Sequence, residues 1–221
     1  MFSNACCEVT MSVQLNPCNE ALALIRSRVS TSHFNPAFEI DDDLTADLIG
    51  YACEAPSAYH LQNWRFVAVR SREGRQKLCD LAYGQHQVKD AAVTVIVIGT
   101  LNGHERIRAN LQPLVDAGHM GPEDLEAWAS DTHRGMHERP VKQRDEAIRS
   151  ASLAAMNLMT AAQALGLASA PMGGFDAAAV SAEFGIAPTE LPVMLVAIGR
   201  PAPGNWPRKP RRPVGEVLTF A

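Results

Sequence analysis

Cysteine is scarce and badly arranged for any structural role. The 221-residue chain has Cys6, Cys7, Cys18, Cys53 and Cys79. That number is odd, no CxxC spacing occurs, and three of the five precede any clear hydrophobic periodicity, so neither a disulfide frame nor a cysteine-built zinc site is expected. Positive charge is not in excess: 20 Lys and Arg against 24 Asp and Glu leave a net charge of −4. Such a chain has no global basic field to hold nucleic acid, although basic residues gather in PRKPRRP near the C-terminus. The opening MFSNACCEVTMSVQLNPCNE lacks a basic region leading into an apolar core, and the cytoplasm is the expected compartment. Long apolar runs are missing too. Residues 150–175 carry no charge, but Asn157, Gln163, Gly166 and Pro171 interrupt them and much of the rest is alanine, which favours a buried helix over a membrane span.

What is present suffices for one sizeable core, since 47% of the residues are hydrophobic. The expected organisation is an arm over residues 1–20 without ordered structure and a single domain over 21–221. Punctuation and period predict helices over residues 19–30, 41–54 and 75–82, with Asp residues loading the first turn of the second and Pro56 following its end. Strands are predicted at 64–69, at 93–99 (VTVIVIG) and at 193–199 (VMLVAIG); the last two are apolar enough for the centre of a sheet. Residues 102–144 turn polar and read as one or two exposed helices. Residues 148–165 carry an apolar helical stripe whose other faces are also mostly apolar, which suits a helix in the middle of the fold, with Gly166 placed to end it.

Familiar catalytic signatures are weak. VIVIGTLNG follows a strand but lacks the GxGxxG spacing of a dinucleotide site. No serine stands in a GxSxG elbow. His133 and His137 are four apart and could share a metal, but without the glutamate of HExxH, on an exposed segment, they read as a solvated surface pair, and no metal is expected. SAPMGGFD at residues 169–176 is more demanding: two adjacent glycines are costly to order, which raises the question of what must approach that backbone.

Four stretches read together supply an answer. IRSRVSTSHF (25–34), EAPSAYHLQNWRF (54–66), SAPMGGFD (169–176) and PRKPRRPVGEV (207–217) resemble, in order and spacing, the FMN-dependent nitroreductase family. The resemblance implies an α+β, three-layer fold: a mixed, mainly antiparallel central sheet flanked by helices, in an intertwined homodimer with FMN at the interface. It also implies an NAD(P)H-dependent oxidoreductase in which hydride passes from NADH or NADPH through flavin N5 to a nitroaromatic, quinone or similar small acceptor, by a ping-pong mechanism that needs no protein nucleophile. Residues 102–144 become an inserted lid.

The family's roles carry over stretch by stretch. Arg28 and Ser30, with Lys209 and Arg211, match the ligands of the FMN phosphate and ribityl chain, Val29 lies between them in the same cofactor-binding stretch, and Ser32 stands where the family places a residue near the flavin oxygen that gains charge on reduction; a buried phosphate dianion demands cations and donors. Pro56, Ser57, Ala58 and Gln62 match the segment that crosses to the partner's flavin. Gln85 matches the amide at the pyrimidine edge, with Gln87 close by. Pro171, Met172, Gly173 and Gly174 match the stretch laid against the flavin, where the Gly173 backbone N–H meets N5. Three departures stand out: His60 replaces the usual asparagine, Asn63 the usual proline, and Ser32 a second basic residue, for which Lys142 or Arg65 could substitute. Other redox work on the same scaffold (dehalogenation, activated-alkene reduction, flavin cleavage) and non-enzymatic FMN binding are the alternatives.

Overall fold

The computed structural model describes residues 20–221; Cys6, Cys7 and Cys18 lie outside the described residues, as does all of the N-terminal arm but Glu20. Twelve elements follow in chain order. They are α1 (Glu20–Ser27), α2 (Asp42–Cys53), β1 (Trp64–Val69), α3 (Arg72–Leu81), α4 (His86–Asp90), β2 (Val93–Thr100), α5 (Ile107–Asp116), α6 (Pro122–Met136), α7 (Pro140–Ala164), β3 (Ala168–Met172), α8 (Ala177–Glu183) and β4 (Glu190–Gly199).

The strands form one sheet in the order β1-β2-β4-β3, each pair antiparallel. A single parallel bridge, Ser30 to Ser169, adds the chain's first stretch to the free edge of β3. Side chains of β2 alternate between two cores as a pleated strand requires. Val93, Val95 and Val97 pack with Leu158, Met159, Ala162 and Leu48 beneath α7 and α2. Ile96 and Ile98 pack on the opposite face with Leu78, Val88 and Val180 from α3, α4 and α8. Three layers result, and β2, buried on both faces, is the apolar strand its sequence predicts.

The elements differ from their sequence outlines where a local residue outweighs the hydrophobic period. Helix α3 starts at Arg72 because Ser71 Oγ accepts from Gly74 N–H at 3.1 Å. Helix α7 opens at Pro140, a residue suited to a first helical turn, and runs 25 residues. It ends where Gly166, at φ 73°, lets Gly166 N–H reach Gln163 O and Leu167 N–H reach Ala162 O. The uncharged run 150–175 is therefore not one buried helix: residues 168–172 are an edge strand. Alanine disguises it, and the proline is tolerated because β3 pairs with β4 on one side only.

Residues 102–144 hold more helix than their polarity suggests. Helices α5 and α6 pair around Ile107, Leu111, Leu125, Ala129 and Met136, and Leu61 from the loop before β1 completes this small core. Asn110 Nδ2 donates to His60 O at 3.1 Å and to Leu61 O at 2.9 Å, tying the hairpin to that loop.

Helix α7 packs closely on the sheet at Gly99. A Cβ there would stand 2.7 Å from Ala147 O and 2.9 Å from Ala147 Cβ. Gly99→Ala is therefore expected to cost about 1–3 kcal/mol through overpacking, read as a lower midpoint of chemical unfolding; a parent-like midpoint contradicts this packing.

Candidate functional site

The first stretch and the C-terminal tail come together through the Phe34–Pro201 bridge, with Asn35 N–H donating to Arg200 O at 2.9 Å and Ala202 N–H to His33 O at 2.8 Å, and through one asparagine. Asn205 Oδ1 accepts from the N–H groups of Ser32 (2.7 Å) and His33 (2.9 Å), while its Nδ2 donates to His33 O and Ala202 O, both at 2.8 Å. Thr31 N–H donates to Ser169 O at 3.0 Å, so the same stretch is also stitched to β3.

Between these three segments lies a cavity of about 180 Å³, lined by residues 28–32, Gln87, Ala170, Pro171, Met172, Trp206–Lys209 and Arg211. Four of the lining residues are cations, Arg28, Arg208, Lys209 and Arg211, and none is a carboxylate. Arg28 Nη1 is buried without a hydrogen-bond partner. Burial first, and then the like charges of Arg211 and Arg208, push the Arg28 guanidinium below the usual arginine range. A desolvated donor crowded by exposed like charges is complementary to an anion, and a phosphate dianion satisfies both its hydrogen bond and the surrounding charge.

Of the residues that the sequence singles out, Arg28, Val29, Ser30, Ser32, Pro171, Met172, Lys209 and Arg211 all line this cavity. Gly173 and Gly174 continue directly from it at the end of β3. Neither has a positive φ, so the pair is not required by the turn. A Cβ on Gly173 would meet no protein atom within 4 Å, and one on Gly174 only Gln85 Nε2 at 3.5 Å. Glycine here leaves backbone N–H groups uncovered rather than relieving strain.

Gln85 and Gln87 divide the labour. Gln85 Nε2 donates to Gly174 O at 2.6 Å and Ala82 O at 3.1 Å, fixing the glycine stretch from behind, while Gln87 lines the cavity. Pro56, Ser57, Ala58 and Gln62 do not line it. Their loop is held by Ser57 Oγ, which accepts from Gln62 N–H at 2.9 Å, and by a 2.8 Å contact between Gln62 Nε2 and His60 Nε2. Tyr59, His60 and Gln62 have φ of 52°, 56° and 44°, a concentration of left-handed backbone that non-glycine residues adopt at a cost. Asn63 is buried; Thr100 N–H donates to its backbone O at 2.9 Å. Arg65 is committed elsewhere: its Nε and Nη2 donate to Glu190 at 2.6 and 2.8 Å, holding that carboxylate below its usual range. Lys142 stands in the first turn of α7 and does not line the cavity. The cation that sequence reasoning overlooks is Arg208. Asn205 and Trp206 escape it too, and only proximity to the basic tail hints at them.

Residues 25–200 match the model described as the Nitroreductase family. The chain belongs to that family. It is 30% identical over 200 residues to "Putative NAD(P)H nitroreductase YodC" of Bacillus subtilis, covering 90% of this chain and 98% of that one. Among solved structures, the Bacillus subtilis "putative nitroreductase ydfN" superposes with a TM-score of 0.87 at 30% identity over 91% of this chain and 99% of the other. A Staphylococcus epidermidis structure described as a "putative NAD(P)H:FMN oxidoreductase" gives 0.86 at 25% identity, over 94% and 98%. For a nitroreductase family member, the cationic cavity leads to a direct expectation. Inorganic phosphate raises the unfolding temperature of the FMN-free protein, about 2–4 °C for each ~1 kcal/mol of binding in a chain this size. Arg28→Gln and Arg211→Gln each diminish that rise. A phosphate response unchanged in both variants contradicts the anion site.

Proposed function

We propose that this chain is an FMN-dependent oxidoreductase that takes electrons from NADH or NADPH and delivers them to a nitroaromatic, quinone or similar oxidised small molecule, working as a homodimer in the cytoplasm. The observation that carries this reading is the carboxylate-free cavity with its unpartnered Arg28 donor, opening onto two glycines that no backbone constraint demands. The names borne by YodC and by the Staphylococcus epidermidis protein support it.

Arg28, Arg208, Lys209 and Arg211 would hold the FMN phosphate, with Ser30 on the ribityl side and Ser32 in the place of the family's second basic residue near the flavin oxygen. When bound, FMN would supply the redox chemistry, two-electron exchange between NAD(P)H and the acceptor. The protein's part is placement. Gly173 would offer its backbone N–H to the redox edge of the isoalloxazine, Gln85 locks the Gly174 carbonyl that follows it, and Gln87 or Gln85 would meet the pyrimidine edge. A backbone donor needs no reorganisation when charge develops on the ring.

The dimer explains why Pro56, Ser57, Ala58 and Gln62 stand away from the cavity of their own chain: in this reading they serve the partner's. Two exposed apolar features support such a partner. Tyr51, Leu153, Met156 and Leu165 lie on the outer side of α2 and α7, and the tail presents Val214, Val217, Leu218 and Phe220 with little burial. Surfaces of this kind mark association. The α5–α6 hairpin, tied to the 54–66 loop through Asn110, is the lid over the acceptor's position. Among the described residues no helix is long and apolar enough to cross a membrane.

Because a side chain at position 173 fits within the chain itself, Gly173→Val separates folding from flavin contact. The FMN-free variant is expected to unfold at the parent temperature. Once FMN is added, the variant either binds it weakly or is reduced by NAD(P)H about 10²-fold more slowly in an anaerobic single turnover. Reduction of a fully loaded variant at the parent rate refutes the Gly173 contact.

A further inference from the structure

Helix α6 carries His133 one turn before His137, the residue that caps its C-terminal end. In sequence the pair is an ordinary exposed face. The fold adds a third imidazole to it: His104, from the short 3-10 turn Gly103–Arg106 that precedes α5. The rings of His133 and His137 stack with centroids 4.3 Å apart, and the His104 ring stands 5.7 Å from the first and 6.1 Å from the second. One ring nitrogen from each of the three lies within 4.8 Å of the other two.

The three differ in burial in a way that suits a ligand set. His104 is only 5% exposed, and neither of its ring nitrogens has a hydrogen-bond partner. An imidazole always presents two polar nitrogens, and buried polar atoms of native proteins are nearly always paired. His133 and His137 are exposed. We propose that His104, His133 and His137 form a binding site for a divalent transition-metal ion of zinc type. Three neutral imidazoles select zinc and its first-row neighbours over magnesium and calcium, which prefer oxygen. Tetrahedral zinc at about 2.0–2.1 Å from each nitrogen needs the nitrogens about 3.3 Å apart. Rotation of His133 and His137 toward the fixed His104 closes that gap. The fourth position faces solvent and takes water, and Glu138, with Oε1 3.9 Å from His137 Nε2, is placed as an outer partner of that ring.

The ion would join the turn before α5 to the end of α6, the two ends of the helical hairpin. Its consequence is mechanical: it fastens the hairpin without touching the cationic cavity, and the site stands whether or not FMN is the cofactor.

Titration calorimetry of Zn²⁺ into the purified, chelator-washed full-length protein tests the assignment. One zinc per chain is expected, with affinity falling about tenfold or more in both His133→Ala and His137→Ala, whose exposed positions keep the fold intact. His119→Ala and Cys53→Ser serve as controls and keep the parent affinity. Absence of stoichiometric binding overturns the site. So does parent-like affinity in the double variant His133→Ala/His137→Ala, because the zinc is then held by other groups.

Discussion

A half-buried guanidinium beside two like-charged arginines resists assembly, because desolvation and the repulsion of Arg211 and Arg208 both act against it. Arg28 is nonetheless held there. Asn205 ties the backbone of Ser32 and His33 to that of Ala202 in the tail, and the Ser30–Ser169 bridge anchors the first stretch to β3. The unfavourable electrostatics are local and the opposing hold is distributed over backbone hydrogen bonds. This is the arrangement expected where a fold is preorganised for an anion. The position of everything else around the site follows from that clamp, since the cavity's third wall is β3, which ends at Met172 just before Gly173.

The sheet and α7 determine where the wall points. Antiparallel pairing of β3 with β4 and the glycine-terminated end of α7 bring residues 168–172 to the edge, with the glycine pair emerging beside α4. Gln85 then fixes the emerging backbone by its carbonyl, leaving the N–H side uncovered. On the far side, strained backbone at Tyr59, His60 and Gln62 and the Asn110 link make the 54–66 loop and the α5–α6 hairpin one unit. Such strain persists only where its surroundings enforce it, and it concentrates at functional segments.

Much of this is legible before any coordinates. The strand at 64–69 and the twice-buried strand at 93–99 follow from period and apolarity alone, and the longer helices differ mainly in their ends, while the short helices α4 and α8 are too brief for a periodic signal. The hidden parts have physical reasons. Strand β3 is written in alanine and proline, residues of low strand propensity, and exists because β4 offers it an edge. Asn205 acts on Ser32 and His33 across 173 and 172 positions, a separation that no local pattern encodes. Arg65, a plausible spare cation in sequence, is neutralised by Glu190, and Arg208 takes a place that the motif did not assign to it. His104 joins its two partners only through tertiary packing, so the pair at 133 and 137 reads as surface until the third ring arrives.

The central claim is that the cationic cavity and the glycine pair orient a flavin that exchanges electrons with NAD(P)H and a small acceptor. Its most direct measurement is the visible spectrum of the purified protein under anaerobic conditions. The account predicts one FMN per chain, bleaching on addition of NADH or NADPH and regaining its absorbance when a nitroaromatic or quinone is added. A protein that binds no FMN, or whose bound FMN neither nucleotide reduces, contradicts it.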